Sequence, residues 1–125
     1  MDKKSVSVII MENNKVLLLK RKKEPYKGCW GLPGGKIEEN ETPEQAAIRE
    51  VFEETNLLCS HLILFKDLLN PETDYYNYIF STSHFEGIAT NKEPEKHEFV
   101  QWFPVNEVPE QRGWSLRKWI ELHNI

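Results

Sequence analysis

The sequence predicts an α/β fold, one domain in which a mixed β-sheet carries helices on both faces. Three observations predict it. The chain reads as strands, a helix, several strands and a second helix, an order that packs helices onto a central sheet. Both helical segments carry an apolar stripe at helical spacing, while the strand-like runs are rich in β-branched and aromatic residues. With 125 residues, 39% hydrophobic and 29% charged, the chain is long enough for one domain with a real core and too short for two.

The elements follow in order. Residues 5–11 (SVSVIIM) alternate into a β-branched run, 12–15 are a turn signal, and 16–19 continue as a second strand, so the N-terminal part predicts a hairpin. Residues 24–29 form a polar loop. Residues 30–36 (WGLPGGK) are glycine-rich, which lets the backbone approach a ligand closely and makes Gly34 a candidate contact to substrate. The spacing is not that of a P-loop. Trp30 and Leu32 read as packing residues.

A helix is predicted over 43–55. Thr42 is its N-cap, Pro43 occupies the first helical position, Gln45 completes a capping box, and Asn56 stands where a left-handed residue ends the helix. Ala47 and Val51, flanked by Ala46, Ile48 and Phe52, form its buried stripe. Residues 57–58 and 61–69 read as a strand, 70–74 as a turn and 75–83 as a strand. In the last of these Tyr76, Tyr78 and Phe80 share one face and Tyr75, Asn77 and Ile79 the other. One face enters the core and the other can line a pocket that stacks a base. The pattern leaves open which does which, and Tyr76 and Tyr78 are named as the substrate-binding candidates. Residues 87–97 read as a mobile loop. Residues 98–103 (EFVQWF) read as a strand, and Ser115 is expected to cap a final helix over 116–123 with Trp119 in the core.

Composition limits the partners. A formal net charge of −4 argues against a nucleic-acid footprint, which needs a basic surface. No run approaches the ~18 apolar residues of a membrane span. Cys29 and Cys59 are far apart and lack metal spacing, which fits reduced thiols in a cytoplasmic protein. The four histidines show no zinc pattern. The expected partner is a small phosphorylated molecule, bound by a monomer or homodimer.

Chemistry concentrates on the first helix. Glu50, Glu53 and Glu54 lie at i, i+3 and i+4, so their carboxylates project from one patch and repel. Arg49, four residues before Glu53, offsets one charge. A divalent cation offsets the rest, and Mg²⁺ suits such oxygen donors and bridges to phosphate. Upstream, the basic run 20–23 ends the second strand, either as a solvated end or as a contact to phosphate.

The spacing of the whole stretch carries a resemblance. It reads Gly35, five residues, Glu41, seven residues, Arg49-Glu50-Val51, one residue, Glu53-Glu54, one residue, Asn56-Leu57. This closely resembles the Nudix box of hydrolases that act on nucleoside diphosphates linked to another group. Asn56 stands where the family has a glycine. The resemblance implies an α/β/α sandwich and a Mg²⁺ cofactor, with Mn²⁺ as an alternative. It also implies a metal site of the Gly35 carbonyl, Glu50, Glu53 and Glu54. Glu50 then orients or deprotonates water, or ligates metal as well. Arg49 positions Glu53, Lys36 with Arg21 stabilises phosphate charge, and the resemblance makes Arg21 and Lys22 the candidates at the strand end that reach the nucleotide phosphates.

A second resemblance covers the C-terminal half. Residues 93–98 (EPEKHE), Trp102 and Leu116-Arg117 are similar to the MutT-homologue branch of that family. That branch converts nucleoside triphosphates to monophosphate and pyrophosphate. It implies a further glutamate ligand, Glu98 first and Glu95 next. Where MutT uses an asparagine to recognise oxidised guanine, residues 109–115 offer Gln111, Arg112 and Ser115. Two other readings accompany this one: hydrolysis of ADP-ribose, nucleotide sugars or dinucleoside polyphosphates, and non-catalytic nucleotide sensing.

Overall fold

The computed structural model describes residues 3–123. Its elements are β1 (Lys4–Glu12), β2 (Lys15–Arg21), β3 (Trp30–Gly31), β4 (Gly34–Lys36), α1 (Pro43–Thr55), β5 (Leu58–Ser60), β6 (Ile63–Asn70), β7 (Tyr75–Thr82), β8 (His84–Glu86), β9 (His97–Pro104) and α2 (Trp114–His123). The N-terminal hairpin forms as expected. Asn13 and Asn14 both take positive φ, 51° and 66°, the backbone that a two-residue turn needs to match strand twist.

The main sheet runs β3-β2-β1-β7-β6, with β4 also on β1 and β9 also on β2. β1 pairs parallel with β7 and antiparallel with β2 and β4, so the sheet is mixed. Alternation along the central strands splits the core in two. Val6, Val8, Ile10 and Leu17 point to one side and pack on Ala46, Ala47 and Val51 of α1. Ile9, Val16 and Leu18 point to the other and pack with Leu116 and Trp119 of α2. One helix therefore covers each face. Among the described residues no helix is long and apolar enough to cross a membrane.

Helix α1 has the predicted ends. Thr42 accepts from the Gln45 amide, Gln45 returns the bond to the Thr42 amide, and Asn56 closes the helix at φ 70°. Its stripe differs from expectation. Phe52 is exposed under the Lys92 ammonium, and Glu54 and Thr55 are buried in its stead. Continuing from Ala47 and Val51 at helical spacing brings residues 54 and 55 inward, so a carboxylate occupies a core position.

Three further segments differ from expectation. The segment after α1 divides into β5 and β6, because β5 leaves the main sheet to pair with β8, a strand the sequence did not reveal. Residues 87–96 are pinned, not free. The Thr90 and Lys92 amides donate to the Thr55 and Glu54 carbonyls, satisfying acceptors left open at the end of α1. Helix α2 begins at Trp114, so Ser115 lies inside its first turn. Its hydroxyl instead accepts from the Ser7 hydroxyl at 3.1 Å.

Candidate active site

The catalytic candidates sit where α1 crosses β4. The glycines of β4 make that approach possible. A Cβ on Gly34 would overlap the Val6 carbonyl oxygen, and one on Gly35 would collide with the Glu50 carboxylate. The Gly34 amide donates to Glu54 Oε1 at 2.9 Å, tying strand to helix. The three box carboxylates form a gradient along the helix flank. Glu54 is buried, Glu50 half-buried and Glu53 exposed.

Arg49 organises the outer part. It donates through Nε and Nη2 to both oxygens of Glu41 at 2.6 and 3.0 Å. Its Nη1 reaches Glu50 at 3.0 Å and Glu53 at 3.2 Å, and Nη2 also reaches the Lys36 carbonyl at 3.1 Å. The predicted contact to Glu53 is thus one of several, and the forked pair with Glu41 is the shortest. These bonds hold the guanidinium charged and pull the Glu41 carboxyl below its usual range, chiefly through the Arg49 hydrogen bond. Burial acts oppositely on Glu50 and raises its pKa, partly offset by the Arg49 hydrogen bond.

The inner part is not compensated in this way. Glu54, Glu93 and His97 bring one ligand atom each to within 4.8 Å of one another. Burial raises the Glu54 pKa well above the ordinary carboxylate value, with the Gly34 amide the first opposing influence. His97 Nε2 stands 3.8 Å from Glu54 Oε2, and burial pushes the imidazole down to about 4. His97 Nδ1 is buried without a hydrogen-bond partner. A buried carboxylate, a half-buried one and an imidazole nitrogen form a donor set that fits a divalent cation.

Glu98, first choice as the further ligand, is placed elsewhere. Its carboxylate faces Lys20 at 3.6 Å on the surface. The cause is a bulge. β9 pairs with β2 in steady register until Lys20 meets Phe99, and then Arg21 meets His97, leaving Glu98 as an extra residue. One inserted residue exchanges the faces of all that precede it. His97 consequently takes the inward position that alternation from Val100 and Trp102 assigns to Glu98. Glu93 supplies the carboxylate from the preceding loop. Its carbonyl accepts the His97 amide at 3.0 Å, and Asn91 donates to the His97 carbonyl at 2.8 Å. Glu95, the second choice, does not join this cluster.

On the other side of β4 lies a pocket of about 390 Å³. Gly34, Gly35 and Lys36 form the wall it shares with the carboxylate flank. Tyr75 and Asn77 of β7, Trp114 and Ser115 of α2, and Tyr26 complete it. Lys36 Nζ lies 5.8 Å from the Tyr75 ring centroid. Arg21 lines the pocket too, whereas Lys22 donates to the Pro94 carbonyl at 2.6 Å and braces the loop that bears Glu93. Tyr76 and Tyr78 are not brought to the pocket. They occupy the opposite face of β7, where Tyr78 packs against the α1 core and the Tyr76 hydroxyl donates to Asp67 at 2.9 Å. The parallel pairing of β7 with β1 decides this, placing Asn77 beside Ser5. The Asn77 amide donates to the Ser5 hydroxyl at 2.9 Å, and its Oδ1 is buried without a partner.

Glu93, His97, Tyr75, Asn77 and Tyr26 are the site residues that sequence reasoning missed. The two-face division of β7 already contained Tyr75 and Asn77. Glu93 and His97 stood inside the second family-like segment, but only the bulge reveals their direction.

An acidic helix against a glycine strand, backed by a ligand-sized pocket, is an arrangement able to hold a divalent cation beside a small molecule. The chain belongs to the Nudix family, matching the NUDIX domain over residues 1–123. It is 35% identical over 107 residues to an ADP-ribose pyrophosphatase from Methanocaldococcus jannaschii, covering 84% of this chain and 63% of that relative. It is 33% identical over 112 residues to the oxidized purine nucleoside triphosphate hydrolase of Mus musculus, covering 86% and 69%. A crystal structure of a MutT NUDIX hydrolase from Burkholderia pseudomallei superposes with a TM-score of 0.88 at 29% identity, covering 97% of both chains. The fold and the nucleotide pyrophosphohydrolase class expected from the box are therefore correct, and these similarities point to more than one substrate.

Proposed function

We propose that residues 1–125 act as a single hydrolase domain that cleaves nucleoside triphosphates to monophosphate and pyrophosphate with Mg²⁺ or Mn²⁺. The observation that carries this reading is the wall shared by pocket and carboxylates. A base held between Tyr75 and Trp114 leaves its phosphates at β4, with Lys36 and Arg21 beside them. The similarity to a triphosphate hydrolase supports the same choice.

Glu53, Glu54, Glu93 and the Gly35 carbonyl are the groups that would hold the cation, with Glu50 able to join them. When bound, the ion polarises a phosphoryl oxygen and neutralises developing charge. The chain's own residues do the rest. Glu50, made more basic by burial, orients the attacking water and accepts its proton. Water attacks phosphorus in line with the leaving group. Arg49 fixes Glu50 and Glu53 against Glu41 and the Lys36 carbonyl. Lys36 and Arg21 stabilise phosphate charge. The free thiols of Cys29 and Cys59 fit action in the cytoplasm, as monomer or homodimer.

The test is turnover of dGTP, 8-oxo-dGTP, dCTP, ADP-ribose and diadenosine polyphosphates with Mg²⁺. Pyrophosphate released from a triphosphate is the expected result, and the ranking names the base. Cleavage of ADP-ribose or a dinucleotide alone overturns the substrate, and tight binding without turnover overturns catalysis.

A further inference from the structure

The box carboxylates are all oxygen donors, yet the innermost group of the cluster is an imidazole. His97 is 2% exposed, so its ring is buried. Its Nε2 stands 3.8 Å from Glu54 Oε2, too far for a hydrogen bond. Its Nδ1 has no partner at all. Leaving Nδ1 buried without a bond is costly, and the other nitrogen, Nε2, faces Glu54 across a gap that no hydrogen bond spans and that an ion ligated from both sides would fill. The ring is also held firmly. The bulge at Glu98 turns it inward, its amide is bonded to the Glu93 carbonyl, and its carbonyl to Asn91.

We propose that His97 supplies a nitrogen donor to the cation held by Glu54 and Glu93, so that this site takes Mn²⁺ or Co²⁺ in preference to Mg²⁺. The proposal rests on the reading of this flank as a cation site. Its chemical basis is donor softness. Mg²⁺ demands near-octahedral oxygen coordination and gains little from imidazole, whereas the later first-row ions bind imidazole increasingly well. Replacing one oxygen donor by nitrogen therefore raises affinity for the later ions and leaves Mg²⁺ behind. A wholly oxygen-lined site shows no such selectivity beyond the ordinary series.

Pulsed electron paramagnetic resonance of Mn²⁺ bound at one equivalent to the full chain tests this directly. The expected spectrum shows hyperfine coupling to a directly bonded nitrogen, which changes on selective ¹⁵N-histidine labelling of the otherwise unaltered protein. The tilted pair His61 and His84, with ring centroids 4.6 Å apart, is a second imidazole source. The coupling must therefore survive in the His61→Gln, His84→Gln protein and vanish in His97→Gln. Calorimetry should show the Mn²⁺ to Mg²⁺ affinity ratio falling at least about tenfold in His97→Gln, the range that even outer-shell partners of a metal site reach. Absence of nitrogen coupling in the unaltered protein, or its loss with His61 and His84, overturns the proposal. These readouts are independent of turnover. Nitrogen coupling without hydrolysis of any nucleotide sinks the proposed function and leaves the ligand assignment standing, and hydrolysis without coupling does the reverse.

Discussion

Two acidic clusters lie along the same helix and are treated in opposite ways. Around Arg49, the carboxylates of Glu41, Glu50 and Glu53 receive hydrogen bonds from one guanidinium at 2.6 to 3.2 Å. One turn further in, Glu54, Glu93 and His97 are gathered within 4.8 Å, and their nearest ion-pair contact is 3.8 Å long. The first cluster is a finished ion-pair network that aims the second. The second carries negative charge in a desolvated place, a condition that costs stability in the isolated fold and that a cation relieves. The contrast supports placing the cation at the second cluster, with Glu50 and Glu53 held toward it by Arg49.

The largest effect breaks the uncompensated cluster. Glu54→Gln should lower hydrolysis by about 10²–10³-fold or more, the scale of losing one preorganised electrostatic contact. Glu93→Gln should follow it closely. Glu98→Gln should stay within about twofold of the unaltered chain, since an exposed pair with Lys20 contributes little. Steady-state kinetics of the three variants checks the face exchange at the β9 bulge. Equal losses from Glu93 and Glu98 would contradict it.

Next comes the compensated cluster. Arg49→Ala removes the charged bonds to Glu41, Glu50 and Glu53 at once. Unfolding should become easier by about 2–3 kcal/mol, read from denaturant midpoints at unchanged slope. Hydrolysis falls with it, because Glu50 loses its orienting partner.

A pH titration of stability without cations sharpens the contrast. His97 stays neutral in the fold down to about 4, while the unfolded ring takes a proton near 6.5. Its contribution is fully present above pH 6.5 and is lost as pH falls through 4. Glu54 has the opposite sign. Its folded pKa is raised above 4.5, so its contribution is present below pH 4.5 and lost as pH rises through the folded value. Glu54→Gln should therefore leave a melting temperature that climbs from pH 4 to 6.5 without the opposing decline that sets in above pH 4.5.

The smallest expected effects separate two adjacent tyrosines. Tyr75→Ala should raise KM by about tenfold with little change in kcat, as loss of one base-stacking surface does. Tyr76→Phe should leave both constants nearly unaltered, because its hydroxyl only bridges to Asp67 at the surface.

Much of this arrangement is legible in the amino acids because it is local. The cap at Thr42, the end at Asn56, the hairpin turn at Asn13-Asn14 and the spacing from Gly35 to Leu57 all follow from neighbouring residues. What escaped depends on register across the sheet. Glu98 and His97 differ only by one unpaired residue opposite Lys20 and Arg21. Tyr75 and Tyr76 differ only by which face of β7 meets β1 on the pocket side. Phe52 and Glu54 were exchanged for a related reason. Hydrophobicity alone buries the phenyl ring, whereas the bond from the Gly34 amide holds the carboxylate inside.

The proposed cation site is the cluster of Glu54, Glu93 and His97. Melting temperatures of the metal-free protein and of Glu54→Gln, each with and without Mg²⁺ at saturating concentration, test it most directly. The account predicts that Glu54→Gln melts higher than the unaltered chain in chelator. The cation should raise the unaltered chain by about 10 °C, as a ligand near a hundredfold above its Kd does, and leave the variant where it was. An equal cation response in both proteins would contradict it.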